Sequence, residues 1–150
     1  MNRRFLGAAL LCTVLLSVSG VAVTEPVSRE KQQVQAVLDD SAAGWRGRDI
    51  ARFIAIYERG ADTVYVSHDT VTSGFDAIRA VYAERFHSTA GDMGTLSVRM
   101  LSFRVLDHDH ASVLGQYRLV RSNSPDATGI TSLLFHRGKS GWHIIADHTD

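Results

Sequence analysis

A change of apolar period divides this sequence. Between residues 34 and 57 the apolar positions recur every three or four residues, first at Val34, Val37, Leu38 and Trp45, then at Ile50, Phe53, Ile54 and Tyr57. From Asp62 they alternate, in "DTVYVSH", and after one more helical stretch the alternation resumes at Met93 and lasts to the end. A period near 3.6 buries one stripe of a helix, and a period of two buries one face of a strand. Helices gathered ahead of a run of strands mean an α+β domain, with the helices covering one face of an antiparallel sheet.

The boundaries follow from capping and turn residues. Ser28, after Pro26, caps the first helix, and Gly44 and Gly47 loosen its end. Asp49 caps a second helix that Gly60 is placed to stop. A strand over 62–68 puts Val64, Val66 and His68 on one face and Thr63, Tyr65 and Ser67 on the other. Gly74 and Asp76 introduce a third helix with Ile78, Val81, Tyr82 and Phe86 as its buried stripe. Strands are then expected over about 95–106, 111–121, 128–137 and 141–148, joined by the "DHDH" turn, a loop around Pro125 and the "RGKSG" turn.

The first residues stand apart. Arg3 and Arg4 precede "FLGAALLCTVLLSV", an apolar run too short to span a membrane, and Gly20 and Ala22 are small residues suited to a cleavage site. Residues 1–22 are therefore expected to be a signal peptide, 23–150 a single domain, and the mature chain a periplasmic or secreted protein without a membrane span. Lipoprotein and twin-arginine leaders fit less well: Leu11 is too bulky to precede a lipidated Cys12, and the arginine motif is one residue short. Cys12 is the only cysteine. Removing the leader leaves no disulfide and no thiol chemistry. With 16 basic against 16 acidic residues and no basic stripe, nucleic acid is not an expected partner.

In this order of elements, "GWRGRDIARFIAIYERGADTVYV", "SGFDAIRAVYAERF", "ASVLGQYRLVRS", "TGITSLLFHR" and "GWHIIADHTD" resemble the nuclear transport factor 2-like superfamily, and within it the SnoaL-like and related domains of unknown function. The resemblance implies a cone: three N-terminal helices packed on the concave face of a strongly curved, mostly antiparallel sheet, with a pocket between that face and the first helix, often in a homodimer. It implies no single activity, because ketosteroid isomerases, polyketide cyclases, dehydratases, association domains and transport adaptors share the fold. In the isomerases the resembling region carries an aspartate near the first strand and a tyrosine donor on the first helix. Here that strand has no internal acid and the helix offers Trp45. SnoaL-like cyclases place acid/base residues on later strands, where Asp147 and His148 stand.

Strict alternation through "GWHIIADHTD" puts Trp142, Ile144, Ala146 and His148 on one face, so Asp147 and His148 cannot both enter a pocket unless a bulge intervenes. The apolar row leads to His148, which makes it the acid/base candidate, with Asp147 facing away and His68 as a possible partner at the end of the first strand. Trp45, Tyr57, Tyr65, Tyr82, Tyr117 and Ile144 are candidate ligand-binding residues, since a tyrosine packs its ring and still offers one hydroxyl. Arg118 is a candidate for a carboxylate or phosphate, and Arg121 shares the face of Tyr117. His108 and His110 in "LDHDHAS" have chelating spacing but sit where a hairpin must turn, and they read as a solvated turn. No metal and no cofactor is expected. The ligand class is an apolar or carbonyl-containing small molecule. Two functions stay open: a pocket that binds and transforms such a compound by proton transfer, or a non-catalytic association or ligand-sensing module acting as a dimer.

Overall fold

The computed structural model describes residues 28–88 and 92–150; the leader assigned to 1–22 lies outside the described residues. The described residues form α1 (Arg29–Arg46), α2 (Ile50–Ile54), β1 (Val64–Ser67), β2 (Thr70–Ser73), α3 (Phe75–Ser88), β3 (Thr95–Val105), β4 (His110–Val120), β5 (Ala127–Gly138) and β6 (Gly141–Thr149). Both expected caps are in place: Ser28 accepts the Lys31 N–H and Asp49 the Arg52 N–H, each relieving an orphan donor of a first turn. No described helix is long and apolar enough to cross a membrane.

The second helix ends earlier than Gly60, and the reason is competition from the sheet. Ile144 N–H donates to Ile56 O at 2.7 Å and Glu58 N–H to Ile144 O at 2.9 Å, so residues 56–58 extend along β6 instead of continuing α2. Two helices can lie this close because of Gly44. A Cβ there would sit 2.5 Å from Phe53 N.

The sheet order is β2-β1-β6-β5-β4-β3, antiparallel throughout except that β1 runs parallel to β6. β2 was not expected; it closes a hairpin with β1 through a two-residue turn in which His68 takes φ +55°, a left-handed conformation that histidine tolerates better than most residues. Register shifts between Met100 and Ser102 and between Leu134 and Phe135 mark β-bulges, each inserting one residue and bending the strands. The sheet so curved wraps the helices. Phe53, Tyr82, Phe86 and Trp45 meet edge-on or tilted at 4.7–5.5 Å between centroids, and with Ile78, Phe135 and Ile144 they fill the core on the concave side.

Candidate functional site

The bulge in β6 decides which residues enter the cone. Leu134 pairs with Ala146 and Phe135 with Ile144, so Ile145 is the extra residue. Trp142 and Ile144 face inward as expected. Beyond the bulge the parity inverts: Asp147 pairs with inward Leu133 and is 6 % exposed, while His148 pairs with outward Ser132. This reverses the expectation that His148 continues the inward row and Asp147 faces away. The His148 side chain is 56 % exposed on the helix-free face, 3.5 Å from Asp150. Ala146 is also outside.

Asp147 is the centre of a buried hydroxyl network. Its Oδ2 accepts the Tyr57 hydroxyl at 2.5 Å, and its Oδ1 lies 2.6 Å from Thr149 Oγ1 and 3.2 Å from Thr131 Oγ1. Tyr82 Oη stands 3.2 Å from Tyr57 Oη, and Thr149 Oγ1 is 2.8 Å from Thr131 Oγ1. Because the single Tyr57 proton goes to Asp147, Tyr82 must be the donor to Tyr57. Four hydroxyl protons thus serve these five contacts while Asp147 is ionised, and a protonated carboxyl supplies the fifth. Burial pushes the Asp147 carboxyl above the usual aspartate range, against the hydrogen bonds from Thr149, Tyr57 and Thr131 that pull it down. Burial likewise raises the Tyr57 and Tyr82 phenols well above their ordinary value, so both stay protonated donors.

Two cavities meet at this network. A small one of 90 Å³ is bordered by Asp147, Tyr57, Thr131 and apolar side chains including Ile144. A larger one of 330 Å³ is walled by Trp45, Tyr65, Tyr82, Tyr117, Leu96 and Leu119. Thr149, Leu96 and Tyr117 border both. From the larger cavity Asp147 is therefore reached by two hydroxyl relays, one through Thr149 and one through Tyr82 and Tyr57. Such an arrangement can take a proton from a bound molecule or return one.

The remaining candidates divide cleanly. Trp45, Tyr65, Tyr82 and Tyr117 border the larger cavity, with Trp45 Nε1 held by Met93 O at 2.9 Å and the Tyr117 hydroxyl donating to Asp150 O at 2.9 Å. His68 stands exposed at its rim, its Nδ1 3.2 Å from Ser67 Oγ. Arg118 does not belong: it is on the outer face, 3.1 Å from Asp126, because it is one step out of phase with Tyr117. Its neighbour Arg121 borders the cavity, as does Arg85, whose guanidinium lies 5.4 Å from the Tyr65 ring and 5.2 Å from that of Tyr82. Thr131, Thr149 and Arg85 were missed by sequence reasoning. The first two were recoverable once Asp147 was placed inside, since 147 and 149 share a strand face.

Among the described residues no group of three or more His, Cys, Asp or Glu is placed to hold a metal. In the "DHDH" turn, Asp107 accepts the Asp109 and His110 N–H groups at 2.8 Å, and His108 projects outward.

No protein-family model matches the chain, and no curated protein matches it by sequence. Solved structures do match. An NTF-2 like protein of unknown function from Shewanella oneidensis MR-1 superposes with TM-score 0.73 at 21% identity, over 79% of this chain and 96% of that one. A ketosteroid isomerase-like protein from Erwinia carotovora atroseptica SCRI1043 gives 0.64 at 16% identity, over 82% and 96%. A putative calcium/calmodulin-dependent protein kinase type II association domain from Thiobacillus denitrificans ATCC 25259 gives 0.65 at 16% identity, over 76% and 90%. At these identities the likeness is one of architecture, and it agrees with the helices, the mixed curved sheet and the strand order: the chain has the nuclear transport factor 2-like fold.

Proposed function

We propose that the chain is an exported small-molecule-binding domain whose cone holds a largely apolar, carbonyl-bearing ligand, and that Asp147 serves as its acid/base group. One observation carries this reading: the relay Tyr82–Tyr57–Asp147–Thr149 begins and ends on the same aromatic-walled cavity. A carboxyl raised by burial and flanked by protonated phenols is suited to proton transfer at carbon or oxygen, the step shared by isomerases, cyclases and dehydratases. The cavity is at the small end of the roughly 300–1,000 Å³ usual for ligand sites. The test is a panel of hydrophobic ketones screened by thermal shift, followed by NMR detection of deuterium uptake from D2O into those that bind. Binding with uptake that Asp147→Asn abolishes is the expected result. Binding with uptake unchanged in Asp147→Asn would remove Asp147 from the chemistry, and a panel that shifts nothing would remove the pocket reading.

A second reading, a non-catalytic association module, is favoured by the outer sheet face, where Leu114, 41 % exposed, shares a shallow surface with Val64, Val66, Leu134 and Ala146, and Ile130 is 42 % exposed on the neighbouring strand. This face suits a second copy of the chain, and homodimerisation is compatible with either reading because it leaves the cone free. Export rests on the leader at 1–22 and is tested by N-terminal sequencing of the mature protein.

A further inference from the structure

Arg85 carries its charge against the outer link of the hydroxyl relay. It lies one helical turn after Tyr82 on α3, half-buried, and its guanidinium covers two rings of the cavity wall. Those rings are Tyr82, 5.2 Å away, and Tyr65, 5.4 Å away, and they meet each other at 5.4 Å. A cation held over aromatic faces and partly withdrawn from water acts more strongly on its surroundings than one in bulk solvent. A hydrogen bond to Tyr65 helps to hold the guanidinium there. From the Tyr82 hydroxyl the contacts run to Tyr57 at 3.2 Å and on to Asp147 at 2.5 Å. A buried chain of hydroxyls thus has a positive charge beside one end and a carboxyl at the other. The remaining charged groups nearby act elsewhere. Arg121, also on the cavity, acts on Asp92 and Asp126, and the Asp150 side chain turns outward to His148. His68 and Asp69, which border the adjoining cleft with Arg85, contact Ser67 and Thr70, while Glu84 and His87 on α3 itself are exposed.

We propose that Arg85 is a positioning residue for Asp147, its guanidinium supplying across the tyrosine wall the counter-charge that holds the buried carboxyl in its ionised, proton-accepting form. This deepens the acid/base reading above and rests on it: the resting relay is a base, so a bound ligand gives up a proton before it receives one. The influences on Asp147 agree in sign. Burial pushes the carboxyl up, hydrogen bonds from Thr149, Tyr57 and Thr131 pull it down, and Arg85 adds its pull to theirs. Burial and the Asp147 charge raise the Tyr82 phenol, and Arg85 opposes them there too. A ligand that fills the cavity displaces water and strengthens this coupling.

The test titrates Asp147 by NMR in protein isotopically labelled at the aspartate carboxyl carbons, its resonance identified by its loss in Asp147→Asn. Arg85→Met keeps an apolar stem over the rings and removes the charge, so the Asp147 midpoint should move to higher pH, while Arg85→Lys should keep it near wild type. A merely structural role predicts the opposite sign, because an opened wall admits water and lets the midpoint fall toward the ordinary aspartate value. An unchanged or lowered midpoint in Arg85→Met would overturn the proposal. Should Arg85→Met not fold, Arg85→Gln, which removes the charge but can still hydrogen-bond Tyr65, answers the same question. For any ketone that exchanges, the rise of deuterium uptake with pH should move upward in step with the midpoint. The titration needs no ligand, which separates the two readings. A raised midpoint beside a silent ketone panel supports the counter-charge and removes the pocket reading; an unmoved midpoint beside exchange that Asp147→Asn abolishes overturns the counter-charge alone.

Discussion

The Tyr57 hydroxyl meets Asp147 Oδ2 at 2.5 Å across 90 residues of sequence. The same strand arranges both partners. β6 draws residues 56–58 out of helical conformation through Ile144, and three residues later, past its bulge, it delivers the carboxyl to the phenol. Tyr57→Phe should therefore cost more than Tyr82→Phe. The first removes a donor from a buried carboxyl and the acceptor of Tyr82, for about 1–3 kcal/mol; the second removes only the outer link, for about 0.5–1.5 kcal/mol. Urea unfolding of the two variants checks the order, and a reversed order would mean that Tyr82 is the principal partner.

Asp147 should leave a signature in the pH dependence of stability. Its folded pKa lies above the ordinary 3.8, so the folded chain holds this proton more tightly than the unfolded chain does. That contribution is complete below the unfolded value, is lost as pH rises through the folded value, and is constant beyond it. The exposed Asp40, Asp92, Asp107 and Asp126 act in the opposite sense: each is lowered, chiefly by hydrogen bonds from Arg52, from Ser124, from the Asp109 N–H and from the Arg121 N–H respectively, and their stability is lost as pH falls. Subtracting wild type from Asp147→Asn isolates the buried group. The variant should gain relative stability as pH rises from about 4 and then level off, measured by melting temperature against pH. A flat difference would show that burial does not shift this carboxyl.

The fold was legible in the sequence where local chemistry decides structure. Ser28 and Asp49 cap helices because their side chains can reach an orphan N–H, and the long strands of the C-terminal half announce themselves by alternation. What was hidden depended on distant partners. The four residues of β2 carry too little apolar pattern to read as a strand, and nothing near Ile56 says that β6 will end α2. The bulge at Ile145 has neither glycine nor proline to mark it, so counting by twos from Trp142 chose the wrong member of the Asp147–His148 pair. Tyr65, Tyr82 and Tyr117 border the larger cavity and Tyr57 the smaller, but burial of a ring alone does not predict this, since Phe135 and Trp142 are buried and border neither.

The inverted parity has a direct test in the two neighbours themselves. His148→Ala should change stability by less than about 0.5 kcal/mol and leave ligand binding intact, as expected for a side chain more than half exposed. Asp147→Ala should cost about 1–3 kcal/mol, because Tyr57, Thr131 and Thr149 lose their common acceptor. Thermal and urea unfolding of both variants, with the ketone panel, give the comparison; a costly His148→Ala beside a neutral Asp147→Ala would restore the unbulged strand.

The outer face makes a separate prediction. Leu114 stands exposed on the outer face beside Val64, Val66, Leu134 and Ala146, the surface on which the proposed second copy would dock. Leu114→Glu should give a monomer in sedimentation at concentrations where wild type is a dimer, with the circular dichroism spectrum unchanged. A wild type that sediments as a monomer at micromolar concentration would count against the dimer.

Gly44 sets helix propensity against packing, and the magnitudes decide the outcome. By propensity alone Gly44→Ala should stabilise α1 by about 1 kcal/mol. The added Cβ, however, would lie 2.5 Å from Phe53 N and 2.9 Å from Phe53 Cα, backbone atoms that cannot rotate aside. Relief requires α2 to withdraw, which strains the first hydrogen bond of that helix, Phe53 N–H to Asp49 O, and parts the Phe53 ring from Trp45 and Tyr82 on the cavity wall. Overpacking of this kind costs about 1–3 kcal/mol, so the net effect should be a lower melting temperature together with weaker binding of any pocket ligand. Gly138→Ala, whose Cβ meets nothing within 4 Å, supplies the control and should leave binding untouched. A Gly44→Ala variant that melts higher than wild type would mean that the two helices do not approach as closely as 2.5 Å implies.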